Sequence, residues 1–189
     1  FVNAPNTLDE NRVSVCDTAD AKFQSEETGL VDGVGTEEEV LEQIRRLLVL
    51  LPSNNEDELP CDLDNADDLN RTCPGLAESA GDSVRVLNQI ADNHDFMEIK
   101  PFYGKDVVTG FIRLNGNTVG CVANRSVMYD EEGEKTEDFG NVLSARGAKK
   151  AAEMVKFCDA FQIPVLTLTN VAGFKASKCS EKYMAKAVG

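Results

Sequence analysis

The chain has 189 residues, 42% of them apolar, and carries 33 acidic against 19 basic side chains for a net charge of −14. This apolar fraction excludes an intrinsically disordered chain. No run of about 18 apolar residues exists, which excludes a helical membrane span, and a polyanion is repelled by nucleic-acid phosphates.

Residues 1–35 read as irregular, with a short helix near Asp17 to Phe23. Thr36 opens a helix: its hydroxyl can cap, and Glu39 three residues on completes a capping box. Val40, Leu41, Ile44, Leu47, Leu48 and Leu51 then fall at helical spacing and form one apolar stripe, which Pro52 ends. Residues 52–81 hold Pro, Asn, Asp and Gly with little periodicity, and so long an irregular stretch marks a boundary between two subdomains.

Regularity returns at Asp82 or Ser83, either of which can cap a helix whose Val84, Leu87, Ile90 and Ala91 share a face. Phe96 to Ile99 reads as a brief strand. Val107 to Leu114 and Thr118 to Ala123 are β runs joined at Asn115-Gly116, a dipeptide that supplies the positive φ angles of a tight hairpin. Ser144 caps a helix containing Ala148, Ala151, Ala152, Val155 and Phe161, with small residues that let it pack closely on a sheet. Val165 to Val171 is an aliphatic and β-branched strand of the kind buried on both faces. A further helix begins near Ser177. The order hairpin, helix, strand, helix is that of an α/β chain built of ββα units.

Few residues carry obvious chemistry. The acidic runs Asn55 to Asp68 and Asp130 to Asp138 read as solvated loops; the first lacks the glycine and closing glutamate of a calcium loop. The six cysteines form no C-x-x-C pair and the one histidine, His94, stands far from them in sequence, so no metal site is expected. Cys121 and Cys158 read as buried small hydrophobes. A Cys61–Cys73 disulfide is conceivable, but without a secretory leader free thiols in a reducing cytoplasm are preferred. His94 reads as a solvated or capping residue, Asn88 and Asn93 as surface, and Lys149-Lys150 as a solvated helix face. No catalytic triad and no nucleotide-binding glycine motif is present. What remains is Asn170 to Phe174, where a strand gives way to a glycine-containing loop. Backbone N–H groups at such a turn can hold an oxyanion or a carboxylate.

The octapeptide Phe157-Cys158-Asp159-Ala160-Phe161-Gln162-Ile163-Pro164, followed by an apolar strand and Val171-Ala172-Gly173-Phe174, resembles the F-C-D-A-F-x-I-P and D-V-P-G-F segments of the carboxyltransferase subunits of biotin-dependent acyl-CoA carboxylases and decarboxylases. Leu51-Pro52-Ser53-Asn54-Asn55 is similar to their L-P-S-N-N, Thr28-Gly29-Leu30-Val31-Asp32 to their S-G-V-A-[DH], and Val119-Gly120-Cys121-Val122-Ala123-Asn124 to their V-G-I-V-A-N. The resemblance implies a crotonase-like fold of ββα superhelical units, truncated here. Residues 1–51 would end an acyl-CoA-binding N-terminal half, 52–81 would connect, and 82–189 would begin a C-terminal half that holds carboxybiotin. It further implies biotin on a carrier protein, an acyl-CoA substrate, biotin carboxylase or decarboxylase partner subunits, and a homo-oligomer with sites between subunits. In that family, pairs of backbone amides polarise the thioester and steady biotin, and no side-chain base is required. Both pairs would lie outside this chain, so it would hold no catalytic residue and be inactive alone as a fragment of a longer polypeptide. Asn170, Ala172, Gly173 and Phe174 would line the biotin pocket. Asn and Ala replace the Asp and Pro of D-V-P-G-F, and Glu181 falls where a family glutamate does. The alternatives are a biotin-independent crotonase-type hydratase or isomerase, which usually carries an acid or base beside the oxyanion glycine, and a non-catalytic assembly module.

Overall fold

A two-residue turn organises the sheet. Leu114 pairs with Asn117, and between them Asn115 and Gly116 take φ angles of 51° and 77°, the left-handed geometry that matches strand twist. The Asp92 carboxylate accepts the N–H groups of both turn residues, at 3.0 and 2.7 Å. A β-carbon on Gly116 would fall 2.2 Å from the Asp62 carbonyl oxygen, so glycine is required there. The computed structural model describes residues 9–10, 12–13, 19–62, 67–68, 70–130, 132–178 and 180–182. The expected helix near Asp17 lies partly outside these; inside them, α1 (Ala21–Phe23) runs into a wider π-helical turn, Gln24–Thr28.

Next come α2 (Glu37–Leu50), α3 (Ser83–Ile90), β1 (Met97–Ile99), β2 (Val107–Leu114) and β3 (Asn117–Asn124). The chain continues through β4 (Val127–Tyr129), β5 (Lys135–Asp138), β6 (Val142–Leu143), α4 (Ala145–Ala160), β7 (Val165–Leu168) and β8 (Gly173–Phe174). The main sheet has the order β1-β2-β3-β7, antiparallel except for the β3–β7 pair. A parallel pair needs a crossover, and α4 supplies it. The expected caps form: Thr36 and Glu39 make both halves of a capping box, the Asp82 side chain accepts from Val84 N–H, and that of Ser144 accepts from Gly147 N–H. Of the second acidic run, Lys135–Asp138 is strand β5, paired with β4, and the described residues before it form the turn between the two strands.

Two apolar clusters sandwich the sheet. On one face Leu87 and Ala91 of the α3 segment pack with Phe96, Val108, Ile112, Cys121 and Ala123; Leu166 and Leu168 join them. On the other, Met154 and Cys158 of α4 meet Met97, Phe111, Ile163 and the end of α2 through Leu50, Leu47 and Leu51. Two expectations fail here. The α2 stripe is half open: Leu41, Ile44 and Leu48 are exposed, and Ile44 lines a cleft of about 440 Å³ between that helix and β1. Strand β7 is buried on one side only: it is the sheet edge, and Val165 on its far face stays 39% exposed. On α4, Val155 is exposed, while the small Ala148 is buried.

The junction of these layers is an ion pair. Arg125 Nε and Nη2 reach the two carboxylate oxygens of Asp82 at 2.8 and 3.2 Å, with both residues buried. Removing one partner of such a pair strands a buried charge. We therefore expect Asp82→Ala to lower the unfolding free energy by roughly 3–5 kcal/mol. Urea denaturation checks it, and a loss under about 1 kcal/mol would remove this pair from its structural role.

Candidate functional site around the end of strand β7

The β3–β7 ladder stops at Ala123 and Leu168, three residues earlier than the sequence pattern suggests. Beyond it the β3 main chain turns away. Arg125 N–H donates to Asp106 O at 2.8 Å, while Ser126 and Val127 N–H both donate to Gly81 O at 3.0 Å. The peptide groups of Asn170 meet a side chain instead of a strand. Asn124 Nδ2 donates to Asn170 O at 3.0 Å, and Asn124 Oδ1 accepts Asn170 N–H at 2.5 Å. Asn124 is itself anchored, since its carbonyl accepts the Ser83 hydroxyl and its neighbour Arg125 is clamped by Asp82.

The chain then returns along the segment that precedes α4. Ala172 N–H donates to Asn141 O at 2.8 Å and Lys175 N–H to Leu143 O at 2.9 Å, on either side of the parallel β6–β8 pairing. This corrects the expectation that the amides at this turn face open space. The amide of residue 170 is taken by the Asn124 side chain, and those of 172 and 175 are engaged because residues 141–143 run alongside with carbonyls that need donors. What stays open is a surface. A β-carbon on Gly173 would meet no atom within 4 Å, Phe174 is 54% exposed, and Asn170, Val171 and Ala172 are exposed beside it. The four residues singled out in the sequence thus share one loop, which offers shape and apolar contact rather than hydrogen-bond donors. Asn124, which holds the loop, closes the segment similar to V-G-I-V-A-N, but nothing in that segment's spacing pointed to the loop 46 residues on.

A polar cleft of about 430 Å³ adjoins this loop at Val142 and Lys175. Most of its charges are paired, Lys105 with Glu137 and Arg146 with Glu27, each at 2.6 Å. The N-terminus of α4 opens there too, but Asp106 already accepts Ser144 N–H and Oγ–H, both at 2.7 Å. A carboxylate in that position makes the helix end a poor anion site.

Residues 7–184 match the family model of the carboxyl transferase domain. The chain belongs to the carboxyl transferase domain family. Among its relatives, the propionyl-CoA carboxylase beta chain of Roseobacter denitrificans is 33% identical over 184 residues, which is 92% of this chain and 34% of the relative. The methylmalonyl-CoA decarboxylase subunit alpha of Propionigenium modestum is 36% identical over 141 residues, 71% of this chain and 25% of that one. A crystal structure of transcarboxylase 12S, described as a hexamer with methylmalonyl-coenzyme A and methylmalonic acid bound, superposes with a TM-score of 0.77 at 28% identity. The match covers 98% of this chain and 35% of that one. The fold is therefore crotonase-like, and the chain spans about a third of the length of the curated relatives it matches.

The other residues singled out in this carboxyl transferase chain have structural roles. His94 Nδ1 lies 3.0 Å from Asn88 O at the end of α3. Asn93 is exposed as expected, whereas Asn88 is half-buried and bonds Val84 O and Phe96 N–H. Cys61 and Cys73 are free thiols, and Cys121 and Cys158 are buried. Among the described residues no group of three or more His, Cys, Asp or Glu side chains could hold a metal; the acidic run after Asp62 lies partly outside them. Lys150 contradicts its solvated reading. Lys149 is exposed, but Lys150 is 1% exposed, donates to Val107 O at 2.8 Å and lies 4.0 Å from Glu98 Oε1.

Burial pushes the Lys150 ammonium down from 10.5 to about 8, against the pull of the Glu98 and Asp106 carboxylates. Glu98 is pushed up, first by burial, with Lys150 opposing. Below pH 8 Lys150 holds its proton both folded and unfolded. Between about 8 and 10.5 the unfolded chain keeps the proton that the folded chain has lost, so this group makes stability rise with pH. The thiols of Cys121 and Cys158, raised by burial to about 12 and 11, act oppositely above 9.0: the folded chain keeps protons that the unfolded one loses. Subtracting a Lys150→Met variant cancels them. The stability of the wild-type chain relative to that variant should rise across the window from pH 8 to 10.5 in urea titrations. A flat difference would show that Lys150 is not buried in its charged form.

Proposed function

We propose that this chain is one part of a carboxyltransferase that moves a carboxyl group between biotin, carried on a separate protein or domain, and the α-carbon of an acyl-CoA. Residues 1–51 belong to the half that receives acyl-CoA, 52–81 connect, and 82–189 begin the half that receives biotin. Asn170, Ala172, Gly173 and Phe174 line the biotin side. The partners are a biotin carboxyl carrier protein, a biotin carboxylase or decarboxylase subunit, and further copies of the complete subunit. The free thiols of Cys61 and Cys73 suit a reducing compartment such as the cytoplasm.

The observation that carries this reading is the open face at Gly173. Its φ is not in the left-handed region and a β-carbon there would touch nothing, so the fold of this chain makes no demand for glycine at that place. Close approach of a ligand to the backbone does make that demand. The exposed Phe174 ring beside it suits a flat, partly apolar bicycle such as biotin. Biotin's ureido group also needs hydrogen-bond partners, and the amides of residues 170, 172 and 175 are engaged. These residues would position the ring. Bound biotin supplies the carboxyl-carrying nitrogen, and the donors that steady its oxygen come from outside this chain.

The test uses the complete polypeptide carrying this segment, with methylmalonyl-CoA as carboxyl donor and free biotin as acceptor. Gly173→Ala should leave the melting temperature unchanged and slow carboxyl transfer at least about tenfold. Phe174→Ala should chiefly raise KM for biotin. Full activity of both variants would overturn the reading. The 189-residue chain alone should show no turnover, and measurable turnover would place the donors inside it.

A further inference from the structure

We infer that Asn124 is a positioning residue for the biotin side of the site, acting through the main chain of Asn170. The inference rests on the assignment of Asn170 to Phe174 as the loop that lines that side.

A carboxamide carries a donor and an acceptor side by side, so it can meet both the N–H and the C=O that one extended residue turns to the same edge. Where β3 peels away toward Asp106 and Gly81, Asn170 would be left with an N–H and a C=O and no strand to pair with. The Asn124 side chain meets both at once, at 2.5 and 3.0 Å, and so adds one side-chain rung to the β3–β7 ladder. That rung holds the two peptide groups that flank the Asn170 α-carbon, and with them the direction in which Val171 and Ala172 leave the sheet. The far end of the loop is fixed independently by the Asn141 and Leu143 carbonyls. Gly173 itself lies between the bonds of Ala172 and Lys175 to residues 141–143, and the Asn124 side chain fixes where the chain enters that pairing.

Asn124 can do this because it is itself held. The Ser83 hydroxyl donates to its carbonyl, and the next residue, Arg125, is locked in the buried pair with Asp82. A group supported in this way transmits position rather than absorbing it. The chemistry also sets the residue type. Aspartate would keep the acceptor for Asn170 N–H but set an oxygen against Asn170 O. Alanine would lose both bonds, and glutamine would displace the rung by one methylene. Asn124 is half-exposed, so none of these changes opens a core cavity.

The experiment compares Asn124→Asp, Asn124→Ala and Asn124→Gln with Gly173→Ala and Phe174→Ala in the complete polypeptide. It reads KM for free biotin, KM for methylmalonyl-CoA, melting temperature, and amide hydrogen exchange of the segment 169–174. Asn124→Asp and Asn124→Ala should speed exchange in that segment and raise KM for biotin about tenfold or more. KM for methylmalonyl-CoA should stay within about twofold, and Asn124→Gln should fall between these and wild type. A merely structural role would lower the melting temperature and the active fraction while leaving both KM values in place, and that outcome overturns the inference. If Gly173→Ala or Phe174→Ala raises KM for biotin and the Asn124 variants do not, the inference alone fails. If no variant in either set moves KM for biotin, the biotin assignment of the loop fails and takes the inference with it.

Discussion

The Arg125–Asp82 pair is the contact on which the C-terminal end of the sheet depends. Asp82 does several things at once. It starts α3 by accepting Val84 N–H, accepts Tyr129 N–H at 3.3 Å at the end of β4, and binds both Nε and Nη2 of Arg125. An ion pair of this kind need not add stability over an apolar replacement of the same volume. What it adds here is position. Two segments distant in sequence, residues 82–84 and 125–129, meet at one carboxylate, where β3 has stopped at Asn124 with its side chain on Asn170. The Asn170 clamp follows from where β3 is made to turn, while residues 141–143 hold the chain on either side of Gly173.

The sheet explains why the loop is at the surface. Clusters cover both faces of β2 and β3, with Val108, Thr109 and Ile112 at most 1% exposed, whereas β7 has a neighbour on one side and a covered face on one side only. Leu166 and Leu168 bind β7 to the α3 side of the sandwich, and Val165 and Thr167 face outward. An edge strand ends in the open, so the residues that follow it are accessible without any cavity being carved into the core.

Local chemistry made much of this legible in the sequence. Thr36 with Glu39, Ser144, Asn115-Gly116 and Pro52 each act through one or two bonds between near neighbours, and each does what its residue type dictates. The family motifs placed the fold and the loop because they span the whole chain. What was not legible depended on long-range packing. The aliphatic run Val165 to Val171 looks fully buried, but composition cannot tell a central strand from an edge strand. The helical stripe of α2 was read at the right period, yet the sheet takes only its last turn, through Leu47, Leu50 and Leu51. Lys150 reads as surface because lysine is almost never fully buried unless paired; its partners, Val107 O and Glu98, come from other elements. The Asn124 clamp joins residues 46 positions apart and leaves no trace in local spacing.

The departures from the D-V-P-G-F pattern acquire a physical meaning from the hydrogen bonds. Proline at position 172 would stiffen the loop through its ring but would have no N–H to donate. Alanine gives up that rigidity and gains a donor, which goes to Asn141 O at 2.8 Å and fastens the loop to the segment entering α4. The change exchanges one restraint for another at the same place. At position 170 the contacts with Asn124 are made by the main chain, so replacing aspartate by asparagine leaves the clamp intact and alters only the charge of an exposed side chain. Both substitutions are compatible with the bonds that hold the loop, and what they change is the stiffness and the charge of an exposed segment.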